Sequence, residues 1–226
     1  RKGKVAAGII IKTSLEYLTT DNAFADMKRD ASTYIKKSVD KFFVDRTLIT
    51  DRRYYPEFPL PQTECLAQVV TSNPIDPWPK IEQGFVRVIH SARQYVYIET
   101  PYFLPTEPVL FALRTAALSG VDVRLMIPRK ADSKFVAWAS RSFVKEIADA
   151  GVRVLFYDRG FNHSKLLVSD DLLATIGSTN VAFRSFEHDF ESNVFFYDQA
   201  MALRVKQVFL DDEADSIPLD QLREGA

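Results

Sequence analysis

The chain has 226 residues, of which 46% are hydrophobic and 26% are charged, a composition typical of ordinary globular proteins. Its formal net charge of −1 provides no overall positive field, which counts against a general nucleic-acid-binding role. The single cysteine, Cys65, excludes an internal disulfide. No run approaches the ~18 consecutive apolar residues that predict a transmembrane helix.

Residues 1–55 carry the weakest structural pattern of the chain. A short apolar run at residues 5–11 is consistent with a strand, and apolar residues at helical spacing predict a packing helix over residues 23–43. The chain begins with Arg1 rather than Met, so we expect further sequence upstream. Pro56, Pro59 and Pro61 disfavour regular structure and indicate a linker at residues 56–63.

From residue 64 onward, apolar strand patterns alternate with helical ones. We predict strands at residues 65–71, 95–100, 121–128, 152–157, 163–168, 172–176 and 191–197, and helices at residues 78–93, 107–119, 133–150 and 199–210. Such alternation predicts an α/β domain with a central sheet and outer helices, over residues 64–212. The acidic residues that follow predict a solvated tail at 213–226.

The most informative stretch is residues 163–191. His163 and Lys165 lead into the apolar run at 166–168, and on one strand they share a face about 7 Å apart. The next strand folds back, and its end, Gly177-Ser178-Thr179-Asn180, returns a hydroxyl and an amide to the same neighbourhood. An imidazole, an ammonium and two neutral donors around one point suit a phosphate group.

A simpler interpretation is also available for these residues. A His beside a Lys is usually a surface pair, and Gly-Ser-Thr-Asn alone is usually a turn. The two motifs occur together at a short separation, and an acid, Glu191, follows them. This combination is harder to explain by turn chemistry and favours a site.

The pattern H-x-K-x4-D-x6-G-S-x-N resembles the signature of the phospholipase D superfamily. It is matched by His163, Lys165, Asp170, Gly177, Ser178 and Asn180. The stretches at residues 100–105, 117–124, 151–154 and 184–186 resemble the C-terminal half of bacterial cardiolipin synthases, so the likeness covers about residues 64–212. It implies an α/β/α sandwich with a central mixed sheet, preceded by a partly helical N-terminal segment.

The resemblance also implies roles for these residues. His163 forms a phosphohistidine or serves as the acid–base partner, and these alternatives stay open. Lys165, Ser178 and Asn180 bind phosphate oxygens, and Glu191 holds the imidazole of His163 in one tautomer. Asp170 and Gly177 are structural members of the motif. No cofactor and no metal are implied.

The activity implied is that of a cardiolipin synthase, a phosphatidyltransferase that uses phosphatidylglycerol at a membrane surface. The alternatives are hydrolysis, by a phospholipase D or a phosphodiesterase acting on nucleic acid, and an inactive scaffold half. A nucleic-acid substrate is disfavoured by the net charge. The expected location is the bacterial cytoplasmic membrane, reached peripherally or through segments missing from this chain.

The family builds one site from two His-Lys motifs, whereas this chain contains one. We therefore expect a second motif, supplied either by an upstream repeat or by a homodimer. In the first case, residues 1–55 are interpreted as a remnant of the first repeat.

Overall fold

The computed structural model describes residues 65–223, so the predictions for residues 1–55 and for the linker at 56–63 lie outside the described residues. The described chain forms ten strands: β1 (Ala67–Ser72), β2 (Tyr95–Glu99), β3 (Phe103–Leu104), β4 (Asp122–Pro128), β5 (Arg153–Tyr157), β6 (Leu166–Ser169), β7 (Leu173–Gly177), β8 (Val181–Ala182), β9 (Glu191–Phe196) and β10 (Ser216–Pro218). Its helices are α1 (Lys80–Ser91), α2 (Glu107–Leu118), α3 (Lys134–Asp149), α4 (Phe183–Glu187), α5 (Gln199–Glu213) and α6 (Leu219–Arg223).

Eight of these strands form one mixed sheet in the order β1-β9-β7-β6-β2-β4-β5-β10, and β3 pairs with β8 separately. Strands β2, β4 and β5 are parallel, whereas the remaining pairings in the large sheet are antiparallel. The parallel pairs need crossover connections, and α2 and α3 lie within them.

Two apolar cores lie on opposite faces of the sheet. One contains residues of α1, α2 and α3 packed against Val96, Leu125 and Leu167, among others. The other contains Ala202, Val205 and Phe209 of α5 packed against the opposite face. These layers confirm the predicted α/β/α sandwich with a central mixed sheet.

A tight turn joins β6 to β7 and is anchored to a distant segment. Asp170 and Asp171 adopt the left-handed conformation there, with φ of 53° and 56°. The carboxylate of Asp170 accepts hydrogen bonds from the backbone N–H groups of Arg93, Gln94 and Tyr95, at 2.8–2.9 Å. This signature residue thus ties the hairpin to the start of β2.

We expect Asp170→Ala to lower the free energy of unfolding by about 3 kcal/mol, because three N–H groups lose an acceptor and alanine is strained at positive φ. Denaturant unfolding measures the change. Asp170→Asn should lose less, because asparagine tolerates this φ and keeps one acceptor oxygen. As a control, Asp76→Ala removes an exposed pair with Lys80, worth under about 1 kcal/mol. Equal losses in Asp170→Ala and Asp76→Ala would contradict the anchoring role.

Two local predictions are wrong. His163 and Lys165 do not share a strand face, because β6 begins only at Leu166. The cause is a side-chain turn: Oδ1 of Asn162 accepts the backbone N–H of Ser164 at 2.8 Å and bends the chain just before the strand.

The second wrong prediction concerns the solvated acidic tail. Ser216–Pro218 pairs with β5 and extends the sheet, with Ile217 opposite Phe156. Glu213 lies in α5 and contacts Arg124 at 2.7 Å. An edge strand tolerates a proline, so Ser216–Pro218 forms a strand although it ends in Pro218.

The proposed domain boundaries stay predictions. No helix within residues 65–223 is long and apolar enough to span a bilayer.

Candidate active site

Three segments of the predicted signature meet at one end of the large sheet. The N–H of Gly177 donates to the carbonyl of Lys165 at 3.3 Å, and the N–H of Ser178 donates to the carbonyl of Ser192 at 3.0 Å. Strands β6, β7 and β9 are neighbours in the sheet, so their ends are adjacent. The fold-back that the sequence predicted between β6 and β7 is confirmed.

Gly177 permits the close approach of β7 and β9 at this end of the sheet. A Cβ atom there would lie 2.2 Å from Oδ1 of Asn193 and 2.4 Å from the carbonyl oxygen of Ser192. No real side chain fits those distances without moving the backbone. Glycine therefore allows the loop at residues 177–180 to lie against the start of β9.

His163 presents an exposed imidazole beside aromatic rings. Phe161 stacks on it with ring centroids 5.6 Å apart, and Tyr102 lies edge-on at 6.4 Å. Within the part of the chain that the structure describes, no hydrogen bond to this ring is formed. Of the two aromatic residues that follow β2, Tyr102 therefore borders the site, whereas Phe103 is buried in the core.

Lys165 supplies the cation of the site. Its Nζ donates to the carbonyl of His163 at 2.9 Å, which fixes the ammonium beside the histidine. Burial lowers the pKa of Lys165, and the charge of Glu191 opposes this shift. Among residues 65–223 the ammonium forms no ion pair, so it is free to meet an anion.

Glu191 lies across the strands from Lys165 and is bound by serine hydroxyls. Oγ of Ser178 donates to its carboxylate and also accepts the N–H of Ser192 at 3.0 Å. Burial raises the pKa of Glu191, and hydrogen bonds from Ser178 and Ser185 oppose the shift. In the described chain no hydrogen bond or ion pair joins Glu191 to His163, so its expected orienting role stays a prediction.

Asn180 is held by a residue that the sequence did not single out. Its Nδ2 donates to the buried Oγ of Ser185 at 3.2 Å, while its own Oδ1 is buried without a partner. Ser185 lies in α4, directly after the short strand β8. The stretch at residues 184–186 carried part of the family resemblance but suggested no role for its serine.

This end of the sheet therefore presents an exposed imidazole, a fixed ammonium, hydroxyl and amide groups, and a half-buried carboxylate. These groups match the needs of a phosphodiester, whose nonbridging oxygens require positive charge and donors. Within residues 65–223, no three or more His, Cys, Asp or Glu side chains are grouped as a metal site would require.

The sequence matches the family model described as "Cardiolipin synthase, PLD-like domain" over residues 85–212. The chain belongs to this family. A cardiolipin synthase of Staphylococcus aureus is 44% identical over 173 residues, which are 76% of this chain and 35% of the relative. A cardiolipin synthase of Clostridium perfringens is 41% identical over 153 residues, 68% of this chain and 32% of the relative. The chain thus spans about a third of the length of the curated relatives it matches.

Solved structures share the fold of this family. Nuc of Salmonella typhimurium, a phospholipase D family member, superposes with a TM-score of 0.59 at 19% identity, covering 69% of this chain and 98% of Nuc. A phosphatidylserine synthase of Haemophilus influenzae superposes with a TM-score of 0.56 at 15% identity, covering 82% of this chain and 47% of that protein. At these identities, the likeness supports the fold alone.

Proposed function

We propose that the protein is a phosphatidyltransferase of the cardiolipin synthase type. The observation that carries this proposal is that the segments bearing His163 and Lys165, Ser178 and Asn180, and Glu191 lie together at one end of the large sheet, in a chain of the cardiolipin synthase family. Curated relatives above 40% identity carry the name cardiolipin synthase. Because the chain spans about a third of their length, the activity of the whole protein is part of the proposal.

The proposed reaction moves a phosphatidyl group in two displacements. A histidine nitrogen attacks the phosphorus of phosphatidylglycerol, and the bond from phosphorus to the oxygen of the headgroup glycerol breaks. A second histidine protonates the departing glycerol. It then takes the proton from a headgroup hydroxyl of another phosphatidylglycerol. The oxygen of that hydroxyl attacks the phosphorus, the phosphorus–nitrogen bond breaks, and cardiolipin forms. His163 fills one of these two positions.

Lys165 and the loop at residues 177–180 stabilise the charge on the nonbridging oxygens in this proposal. The fixed position of the Lys165 ammonium supports that role, since donors placed in advance need no reorganisation in the transition state. Asn180 supplies a neutral donor through its second amide hydrogen, and Ser178 does so once its hydroxyl turns from Glu191 to the phosphate. Glu191 remains the proposed orienting carboxylate for His163, acting once substrate or a second half-site completes the site.

A second His-Lys motif is part of the same proposal. It comes from an upstream repeat or from a second copy of the chain. The match covers 35% of the length of the Staphylococcus aureus relative, so the remaining length could hold an upstream repeat. In this proposal the site acts at the cytoplasmic membrane of a bacterium, where its phospholipid substrates lie. The exposed aromatic Phe161, next to His163, supports contact with an apolar substrate.

Incubation of the native-length protein with phosphatidylglycerol vesicles, followed by lipid mass spectrometry, tests this function. We expect cardiolipin and glycerol in equal amounts, and no cardiolipin with His163→Gln. Phosphatidic acid in place of cardiolipin would assign the protein to hydrolysis. Absence of any lipid product, together with cleavage of a nucleic acid, would overturn the lipid substrate. Inactivity on both would favour the scaffold alternative.

A further inference from the structure

His163 is the central residue of a side-chain turn. The side-chain oxygen Oδ1 of Asn162 accepts the N–H of Ser164 at 2.8 Å, and this bond closes the turn around His163. The turn sets the path of the backbone from which the imidazole projects. Whatever holds the Asn162 amide therefore holds the proposed catalytic histidine.

Two carboxylates from different layers of the fold hold that amide. Its Nδ2 lies 3.1 Å from Oδ2 of Asp212 on α5 and 3.3 Å from Oε2 of Glu99 at the end of β2. These partners are distant in sequence, 50 and 63 residues from Asn162. The sheet and the α5 layer thus converge on the residue that precedes His163.

Glu99 is unusual for a core residue. Its side chain is 1% exposed, and its second oxygen, Oε1, has no hydrogen-bond partner. A buried carboxylate with an unsatisfied oxygen is costly, so a function is a reasonable explanation for it. Burial and the nearby Asp212 raise the pKa of Glu99 to about 7, and hydrogen bonds from Asn162 and Ser164 oppose the rise.

The charges around this pair are mainly acidic. Burial raises the pKa of Asp212, the Asn162 hydrogen bond opposes this, and Asp215 and Asp211 raise it further. Arg159 pairs with Asp215 at 2.9 Å. In the described residues no Lys or Arg forms an ion pair with Glu99 or Asp212. The two carboxylates share the Asn162 amide as a hydrogen-bond donor.

We propose that Glu99, Asn162 and Asp212 form a positioning clamp for His163, and that the clamp is tight when Glu99 is ionised. A carboxylate accepts a hydrogen bond more strongly than a neutral carboxylic acid does. Protonation of Glu99 would therefore loosen the Asn162 amide and with it the turn. The inference deepens the proposed function and rests on it. None of the three residues is assigned a contact with substrate.

Glu99→Gln tests the clamp, because glutamine has nearly the same shape as glutamic acid and stays neutral at every pH. We expect the kcat ratio of wild type to variant to rise from near one at pH 5.5 to about 10 at pH 8.5, since a 1 Å misplacement costs up to ~10²-fold. KM should be unchanged. Thermal unfolding should show no loss of stability, because the variant removes a buried charge.

The turn and the clamp are separated by Asn162→Asp. This variant keeps an oxygen that accepts the Ser164 N–H but loses the donor to Glu99 and Asp212. We expect its kcat to fall at least as far as that of Glu99→Gln. Asp211→Asn is the matched control, because Asp211 lies beside Asp212 on α5 but binds the exposed Gln207. Its kcat ratio should not change with pH.

The clamp would be overturned if the kcat ratio of wild type to Glu99→Gln did not change with pH, or if Glu99→Gln changed KM rather than kcat. Either result would leave the transferase activity of the wild type in place. If the wild type makes no cardiolipin, the proposed function fails, and NMR of the backbone amide of Ser164, which donates to Asn162, still decides the inference. In the His163→Gln background, which removes the imidazole, this amide signal should shift with a midpoint near pH 7, and adding Glu99→Gln should abolish the shift. The same shift with and without Glu99→Gln would reject the clamp.

Discussion

Replacement of His163 by glutamine is expected to reduce phosphatidyl transfer by at least about 10²-fold, and to background if this histidine carries the phosphoryl group. The imidazole is the exposed group at the meeting point of the three signature segments, and its neighbours Phe161 and Tyr102 leave the ring accessible. Cardiolipin formation from phosphatidylglycerol vesicles measures the loss.

The matched control is His188→Gln. His188 is also exposed and follows α4, where its ring lies near Phe183 rather than near Lys165. Its replacement should leave the rate within about twofold, because it touches no group of the proposed site. A similar loss in both variants would mean that histidine replacement damages the fold rather than the chemistry.

A substrate with an activated leaving group separates the two roles of His163. The aryl oxide of an aryl phosphodiester departs without a proton, so the first displacement does not need the general acid. If His163 is the acid–base residue, the glutamine variant should regain much of the rate of aryl oxide release in the first turnover. It should then accumulate a phosphoenzyme that is trapped on quenching, because transfer to the acceptor still needs the base. If His163 is the nucleophile, the variant should remain inactive on both substrates and trap none.

The fold was largely predictable because its signals are local. Gly120 and Gly151 follow α2 and α3 with φ of 87° and 101°, as expected for glycines that end helices. Ser133 caps α3, its side chain accepting the N–H of Val136. Each of these features depends on residues within a few positions of one another, and the layer arrangement follows from the strand–helix alternation.

The sequence predicted which segments of the candidate site come together, but not their local geometry. The spacing from His163 to Asn180 placed two strand ends together, and the structure confirms that fold-back. The turn at Asn162 escaped prediction because an Asx turn and an extended strand start share the same short polar sequence. Glu99 escaped because its hydrogen bond with Asn162 crosses 63 residues and depends on burial.

Two carboxylates with raised pKa values now frame the proposed catalytic segment from different sides. Glu191 lies across the ends of the strands, and Glu99 lies behind the turn. Family resemblance assigned the first a role with His163, yet the structure joins it to Ser178 and Ser185. The second, like Asp212, reaches the histidine through Asn162, so these two carboxylates already have a structural link to the His163 backbone.

Lys165→Met is expected to lower kcat/KM by about 10²–10³-fold, since one preplaced donor at a developing oxyanion is worth that much. The Nζ of Lys165 is held on the carbonyl of His163 at 2.9 Å, and methionine keeps an unbranched side chain, one atom shorter, but removes the charge. Initial rates of cardiolipin formation over a range of phosphatidylglycerol concentrations measure the effect.

Arginine should not restore the activity. Its planar guanidinium spreads the charge over a larger group, whereas Lys165 presents one compact ammonium on the carbonyl of His163. Lys145→Met serves as the control, because Lys145 is an exposed partner of Asp149 on α3 and lies outside the site. Full activity in Lys165→Met would remove the cation from the mechanism, and the charge of the phosphoryl group would then have to be met by the second motif alone.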